Sequence, residues 1–341
     1  MRIGILTGGG DCPGLNPVIR GVVRKALLEG DEVIGIKYGW KGLLDKETMV
    51  LDVKSVSGIL HRGGTILGTS RTNPYKKEGG LATVKKHLKE LKIDALIAIG
   101  GEDTLGVATK LFNDGVKTVG VPKTIDNDLG ATDFTFGFDT SVNIVMECID
   151  RLHTTAESHN RIMVVEVMGR HAGWIAAYSG IAGGADYILV PEFPIDMDEL
   201  CQSIQKRHDR GKNFSIIVVS EGATFKDDKF LVQEKKLDEF GHVRLGGVGE
   251  MLGQIVEEKT GFETRVTVLG HIQRGGSPTA FDRVLGTRFG VKAYELVKEK
   301  KFGRMVSLKG TAIVDVPLEK ATAKLKTLDP ELYEVAKIFF G

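Results

Sequence analysis

The sequence predicts an α/β fold with mostly parallel sheets, spread over two domains. Three observations predict it: short, nearly uninterrupted apolar runs recur, helix-periodic stretches lie between them, and the chain is long. The runs occupy residues 3–6, 95–99, 118–121, 162–167, 188–190, 216–219 and 266–269. Apolarity without alternation at this length marks strands buried on both faces, as in a parallel sheet. Between them, Val142, Val145, Ile149 and Leu152 recur at helical spacing, and alternation of the two element types builds α/β layers. At 341 residues the chain exceeds what one hydrophobic core usually supports.

Composition narrows the function. The chain is 42% hydrophobic and 27% charged with a net charge of +1, so neither nucleic acid nor a membrane is an expected partner. Any affinity for anions must come from local groups of cations or backbone amides. Cys12, Cys148 and Cys201 are far apart and form no CxxC pair, which points to neither a disulfide framework nor a zinc site. No apolar run approaches the roughly 20 residues that span a bilayer, and the run at residues 3–6 is too short for a signal peptide. A soluble, cytoplasmic protein is expected. Residues 226–244 are the most polar interval and are expected to be a solvated surface excursion.

Five segments at strand ends carry chemistry. Residues 7–16 follow the first strand with Gly8, Gly9, Gly10 and Gly14; such a loop opens backbone amides to an anion, and the next helix points its positive end there. No Gly-Lys-Ser/Thr follows, so it is not a Walker A loop, and a plain strand-to-helix turn is the alternative. Gly100-Gly101-Glu102-Asp103-Thr104 places two carboxylates beside a glycine turn. Repulsion between them makes sense if a divalent cation and a phosphate are near; helix capping by Asp103 or Thr104 is the other reading. In Lys123-Thr124-Ile125-Asp126-Asn127-Asp128, one carboxylate can take a hydroxyl proton while the other helps hold Mg²⁺, or the cluster is an Asx turn. Met168-Gly169-Arg170 offers a planar donor fork to an anion. Gly270-His271-Ile272-Gln273-Arg274-Gly275-Gly276, preceded by Arg265, offers more cations, for which surface salt bridges are the alternative. Collectively, acids, glycines and arginines at strand C-termini fit phosphoryl transfer, where the protein positions groups and spreads charge.

In this order the five segments resemble those of the phosphofructokinase family along nearly the whole chain. The most specific are Thr124-Ile125-Asp126-Asn127-Asp128, Met168-Gly169-Arg170 and the 270–276 segment; diacylglycerol and NAD kinases share only the Gly-Gly-acidic loop. The resemblance implies two Rossmann-like three-layer domains with the active site in the cleft between them. Residues 1–138 plus 273–323 would hold the phosphoryl donor, and 139–272 plus 324–341 the fructose 6-phosphate. It implies Asp126 as the base that deprotonates the sugar's 1-hydroxyl, with Arg170, Thr124 and the Gly10 amide steadying the transferred group. Glu102 and Asp128 would serve Mg²⁺, and Gly10, Arg71, Asp103 and Lys123 the donor. Arg161, Arg265, His271 and Arg274 would grip the sugar phosphate, and Met168, Gly169 and Glu221 its ring. Counterparts of Arg161 and Arg265 come from a neighbouring subunit in the family, which implies a homodimer or homotetramer with shared sites.

Two positions bear on the donor. ATP-using relatives generally carry glycine where this chain has Asp103 and Lys123. A carboxylate at 103 would fill the space of the nucleotide's α-phosphate. Like charges 4 Å apart at an effective dielectric near 20 repel by about 4 kcal/mol before metal and relaxation reduce it. Lys123 supplies a cation for a small, charge-dense donor. Both match the diphosphate-dependent branch, so the expected reaction is reversible, Mg²⁺-dependent transfer from inorganic diphosphate to fructose 6-phosphate, in glycolysis and gluconeogenesis. An ATP-dependent kinase of the same sugar is the alternative, and a sugar-phosphate-binding regulator without catalysis the alternative of another class. Arg20, Arg24 and Lys212 match cations of the family's allosteric nucleotide site, but His153, Asp186 and Phe214 replace its Arg, Glu and His. Little nucleotide regulation is therefore expected.

Overall fold

The computed structural model describes residues 1–227 and 246–341; most of the polar interval 226–244 lies outside the described residues. Two compact units emerge. The first comprises residues 1–125, 129–140 and 274–325, and the second 126–128, 141–273 and 326–341. No break around 126–128 was expected from the sequence.

Along the chain the strands are β1 (Arg2–Thr7), β2 (Glu32–Ile36), β3 (Thr48–Leu51), β4 (Ala95–Gly100), β5 (Thr118–Pro122), β6 (Ile162–Val167), β7 (Tyr187–Leu189), β8 (Ser215–Ser220), β9 (Thr264–Val268), β10 (Arg304–Lys309) and β11 (Ala312–Pro317). The helices are α1 (Leu15–Leu28), α2 (Trp40–Asp45), α3 (Gly80–Glu90), α4 (Glu102–Asn113), α5 (Phe138–His159), α6 (Trp174–Ala182), α7 (Met197–Asp209), α8 (Val248–Thr260), α9 (Ala280–Lys298) and α10 (Pro330–Lys337).

The first unit holds a sheet in the order β11-β10-β5-β4-β1-β2-β3. Its centre is parallel, while β2–β3 and β10–β11 pair antiparallel at the edges. Every residue of β4 and β5 is buried, as unbroken apolar runs require. Trp40 is 2% exposed and packs in this unit's core with Leu43, Val84 and Leu105. The second unit's sheet, β7-β8-β6-β9, is parallel throughout. Ile162, Val164, Ile217 and Val219 meet Leu200, Ile204, Leu252 and Val256 from α7 and α8 in its core. Among the described residues no helix is long and apolar enough to cross a membrane.

The expected runs at 188–190 and 266–269 each begin and end slightly earlier, at Tyr187–Leu189 and Thr264–Val268. The 142–152 helix is part of the longer α5.

Glycines bring α1 and α9 into backbone contact. A Cβ on Gly290 would stand 2.3 Å from the Val18 carbonyl oxygen, and one on Gly21 2.7 Å from that of Thr287. This seat fixes α1, whose N-terminal end receives the glycine loop after β1. Gly290→Val should therefore destabilise the protein by about 1–3 kcal/mol through overpacking. The expected readout is a lower urea midpoint with an unchanged m-value.

Candidate active site

In the first unit β5, β4 and β1 lie side by side and parallel, so the loops leaving their C-terminal ends meet. The Gly8 amide donates to the Ile99 carbonyl at 2.9 Å, and the Lys123 amide to the Gly100 carbonyl at 2.9 Å. Gly8 and Gly100 make room for Thr104: a Cβ on either would come within 2.6 or 2.3 Å of that side chain. Lys123 is 4% exposed, and its Nζ donates to the Gly10 carbonyl. Arg274 reaches the same loop, its Nη1 donating to the Asp11 carbonyl at 3.3 Å. Gly10 permits this approach, since a Cβ there would stand 2.4 Å from Arg274 Nη1. Arg71 is exposed beside Thr69, whose Oγ1 donates to the Gly9 carbonyl at 2.5 Å.

Glu102 and Asp103 form the first turn of α4, where the helix dipole favours carboxylates. The N-cap is Gly101 and makes no side-chain bond, so the capping alternative for Asp103 or Thr104 is not realised. Thr124 is 9% exposed, and its carbonyl accepts from Thr135 Oγ1 at 2.8 Å.

In the second unit the C-terminal ends of β9, β6 and β8 are likewise adjacent. They present the 270–273 turn, Met168-Gly169-Arg170 and Glu221. Arg170 has φ 52°, a left-handed backbone that is strained for a side-chain-bearing residue. Its amide donates to Glu221 Oε1 at 3.2 Å. Gly222 is a glycine of necessity, because a Cβ would stand 1.7 Å from the Arg170 carbonyl oxygen. His271 is exposed. Gln273, to which the sequence assigned no role, is fully buried and joins two of the loops. Its Oε1 accepts from the Met168 amide at 3.2 Å, and its Nε2 donates to the Gly270 carbonyl at 3.1 Å. Burial of a polar amide inside a motif of exposed residues is a signal that sequence cannot show.

The Asp126-Asn127-Asp128 stretch belongs to this unit too. Asp126 is 4% exposed, and Asn127 is fully buried with φ 52°. Burial pushes the Glu221 carboxyl up to about 7, and the Asp126 carboxylate adds to the rise, against amide bonds from Arg170 and Gly169.

A family model for phosphofructokinase matches residues 2–297. The chain belongs to the phosphofructokinase family. It is 58% identical to a pyrophosphate--fructose 6-phosphate 1-phosphotransferase of Streptomyces coelicolor over the full length of both chains. It is 51% identical to an ATP-dependent 6-phosphofructokinase of Corynebacterium efficiens, covering 100% of this chain and 99% of the other. Among solved structures, Saccharomyces cerevisiae phosphofructokinase aligns with a TM-score of 0.81 at 31% identity, covering 99% of this chain and 46% of the yeast chain.

Not every expected sugar-phosphate residue of this phosphofructokinase lies with the others. Arg161 immediately precedes β6, and Arg265 sits opposite Met163 near its start. Both guanidinium groups bond Glu263 Oε1, Arg161 at 2.8 Å. They therefore occupy the N-terminal edge of the sheet, roughly 20 Å from Met168, Arg170 and Glu221 at the strand's other end. The residues expected to replace the family's effector-site groups are engaged within the chain. Asp186 pairs with Arg207 at 2.7 Å and accepts from the Ile216 amide at 2.8 Å. His153 Nε2 lies 2.8 Å from the Gly183 carbonyl, and Phe214 packs edge-on against its ring.

The elevated Glu221 carboxyl makes stability depend on pH with a definite sign. Its contribution is full below the ordinary carboxyl value and is lost as pH rises towards about 7. Glu221→Gln, which stays neutral, should gain stability relative to the parent between pH 5 and pH 8. Urea midpoints measured at both pH values check this.

Proposed function

We propose that the chain transfers a phosphoryl group reversibly from inorganic diphosphate to the 1-hydroxyl of fructose 6-phosphate. The products are fructose 1,6-bisphosphate and phosphate. Lys123 carries the reading: a cation 4% exposed, set against Gly10 at the mouth of a glycine loop, suits a short, densely charged donor. Identity alone does not choose the donor, because relatives named for pyrophosphate share 53–59% of residues and ATP-dependent ones 51–52%. Asp103 supports the same choice by placing a carboxylate where a nucleotide's α-phosphate would need space.

In this reading Gly10, Arg71, Asp103 and Lys123 attend the donor. Asp126 takes the proton of the 1-hydroxyl, whose oxygen attacks phosphorus while the bridging P–O bond of diphosphate breaks and phosphate leaves. Arg170 and Thr124 steady the charge that moves onto the transferred group. Met168, Gly169, Glu221 and His271 orient the sugar, and Arg274, held at the first loop, adds a cation.

The chemistry of Glu102 and Asp128, both carboxylates, suits Mg²⁺. Among the described residues no group of three or more His, Cys, Asp or Glu side chains is placed to hold a metal, but Mg²⁺ commonly uses one or two carboxylates together with substrate phosphates. Glu102 and Asp128 would supply those carboxylates, and the ion would neutralise phosphate charge. In this reading the reaction takes place in the cytoplasm.

Initial rates with fructose 6-phosphate and Mg²⁺ should be high with diphosphate and low with ATP. Equal or greater turnover with ATP would refute the donor assignment, and none with either donor would refute the enzyme.

The position of Arg161 and Arg265 supports a homo-oligomer in which each serves the site of a neighbouring copy. Asp126→Asn and Arg161→Ala variants should each be nearly inactive alone. Mixed and reassembled, they should recover activity through sites that combine an intact Asp126 with an intact Arg161. Recovery absent from properly mixed oligomers would place both residues in one chain's site.

A further inference from the structure

Outside the five strand-end segments, one side chain from the far end of the chain bonds the residue between Asp126 and Asp128. Lys326 Nζ donates to Asn127 Oδ1 at 2.9 Å, and the Lys326 amide donates to the Asp128 carbonyl at 2.9 Å. One residue thus grips the Asp126-Asn127-Asp128 stretch twice, once through its side chain and once through its backbone.

Lys326 is itself fixed from several directions. Its ammonium lies 5.3 Å from the centre of the Trp174 ring, a cation–π distance. The same indole's Nε1 donates to the Lys326 carbonyl at 2.9 Å. Two residues on, the Leu328 amide donates to Glu192 Oε1 at 2.8 Å, and Glu192 also accepts from the Gly173 amide at 3.0 and 3.1 Å. Trp174 opens α6, directly after the Arg170 loop. The segment that holds the carboxylates is therefore referenced to the helix beginning beside Arg170.

Asn127 is where this grip matters. It is fully buried and left-handed at φ 52°, a conformation asparagine tolerates better than most residues but which still needs outside support. Its backbone sets the directions in which Asp126 and Asp128 leave the chain.

We propose that Lys326 is a positioning residue for phosphoryl transfer, clamping Asn127 so that the carboxylates on either side of it are correctly aimed. The inference rests on the proposed role of Asp126. Misplacing a reacting group by about 1 Å can slow a reaction 10²-fold, so the effect belongs on kcat.

The test measures Lys326→Met, Lys326→Arg, Asn127→Gly and the Lys326→Met/Asn127→Gly pair at saturating fructose 6-phosphate and diphosphate, with Asp126→Asn as reference. Lys326→Met should lower kcat about 10–100-fold with both KM values within about twofold, and Lys326→Arg should recover part of it. Asn127→Gly keeps the left-handed backbone but loses Oδ1, so it should mimic Lys326→Met, and the double variant should be no worse than either. Additive losses in the double variant, or a kcat within twofold of the parent for both single variants, would overturn the proposal. If Lys326→Met fails to fold, Asn127→Gly and Lys326→Arg decide alone: a normal kcat in Asn127→Gly overturns the clamp. An active Asp126→Asn would instead remove the reading of the reaction itself.

Discussion

Lys123 is 4% exposed, and an ammonium that far from water is costly unless oxygen atoms surround it. The Gly10 carbonyl supplies one. That oxygen is within reach only because the loop after β1 is bonded to β4's end through Gly8 and Ile99, and β4's end to β5's through Gly100 and Lys123. Parallel pairing of three strands thus places a glycine loop and a buried cation together in a chain whose net charge is only +1. In the proposed reaction a donor with closely spaced charges would gain from such a cation, because a buried charge is poorly screened.

The second unit solves the complementary problem of holding acids. Asp126 and Glu221 are close enough that ionising both is penalised, and burial adds to the penalty on Glu221. A carboxyl pushed up to about 7 can donate a hydrogen bond as well as accept one, which suits the part proposed for Glu221 beside the sugar.

Much of this was legible in the sequence, and the illegible part has physical causes. Strands β4, β5, β6 and β8 announced themselves because burial on both faces demands unbroken apolar runs. Strands β3 and β11 did not, since they close the edges of the sheet, are partly exposed and tolerate polar residues. The loop residues were legible by type, but not the bonds that hold them. Arg161 and Arg265 were expected to serve a neighbouring copy's site, and the six residues of β6 that separate its ends keep them from Arg170 within the chain. Gln273 and Lys326 were silent because their significance lies in partners 105 and 199 positions away.

Two side-chain-bearing residues of the second unit, Asn127 and Arg170, are held at φ 52°, and they lie in the segments that carry the proposed base and the proposed anion fork. Each strained backbone costs roughly 1–3 kcal/mol and persists only where surroundings over-determine it. At Arg170 the surroundings are Glu221, which accepts its amide, and Gly222, whose missing side chain admits its carbonyl. At Asn127 they are the Lys326 ammonium and the complete burial of the residue. Rotation of the backbone at Arg170 would pull its amide from Glu221, and rotation at Asn127 would pull its side chain from Lys326. The backbone at both positions is therefore set by the chain's own contacts, and in the proposed reaction such pre-set geometry is the condition under which charge stabilisation requires little reorganisation.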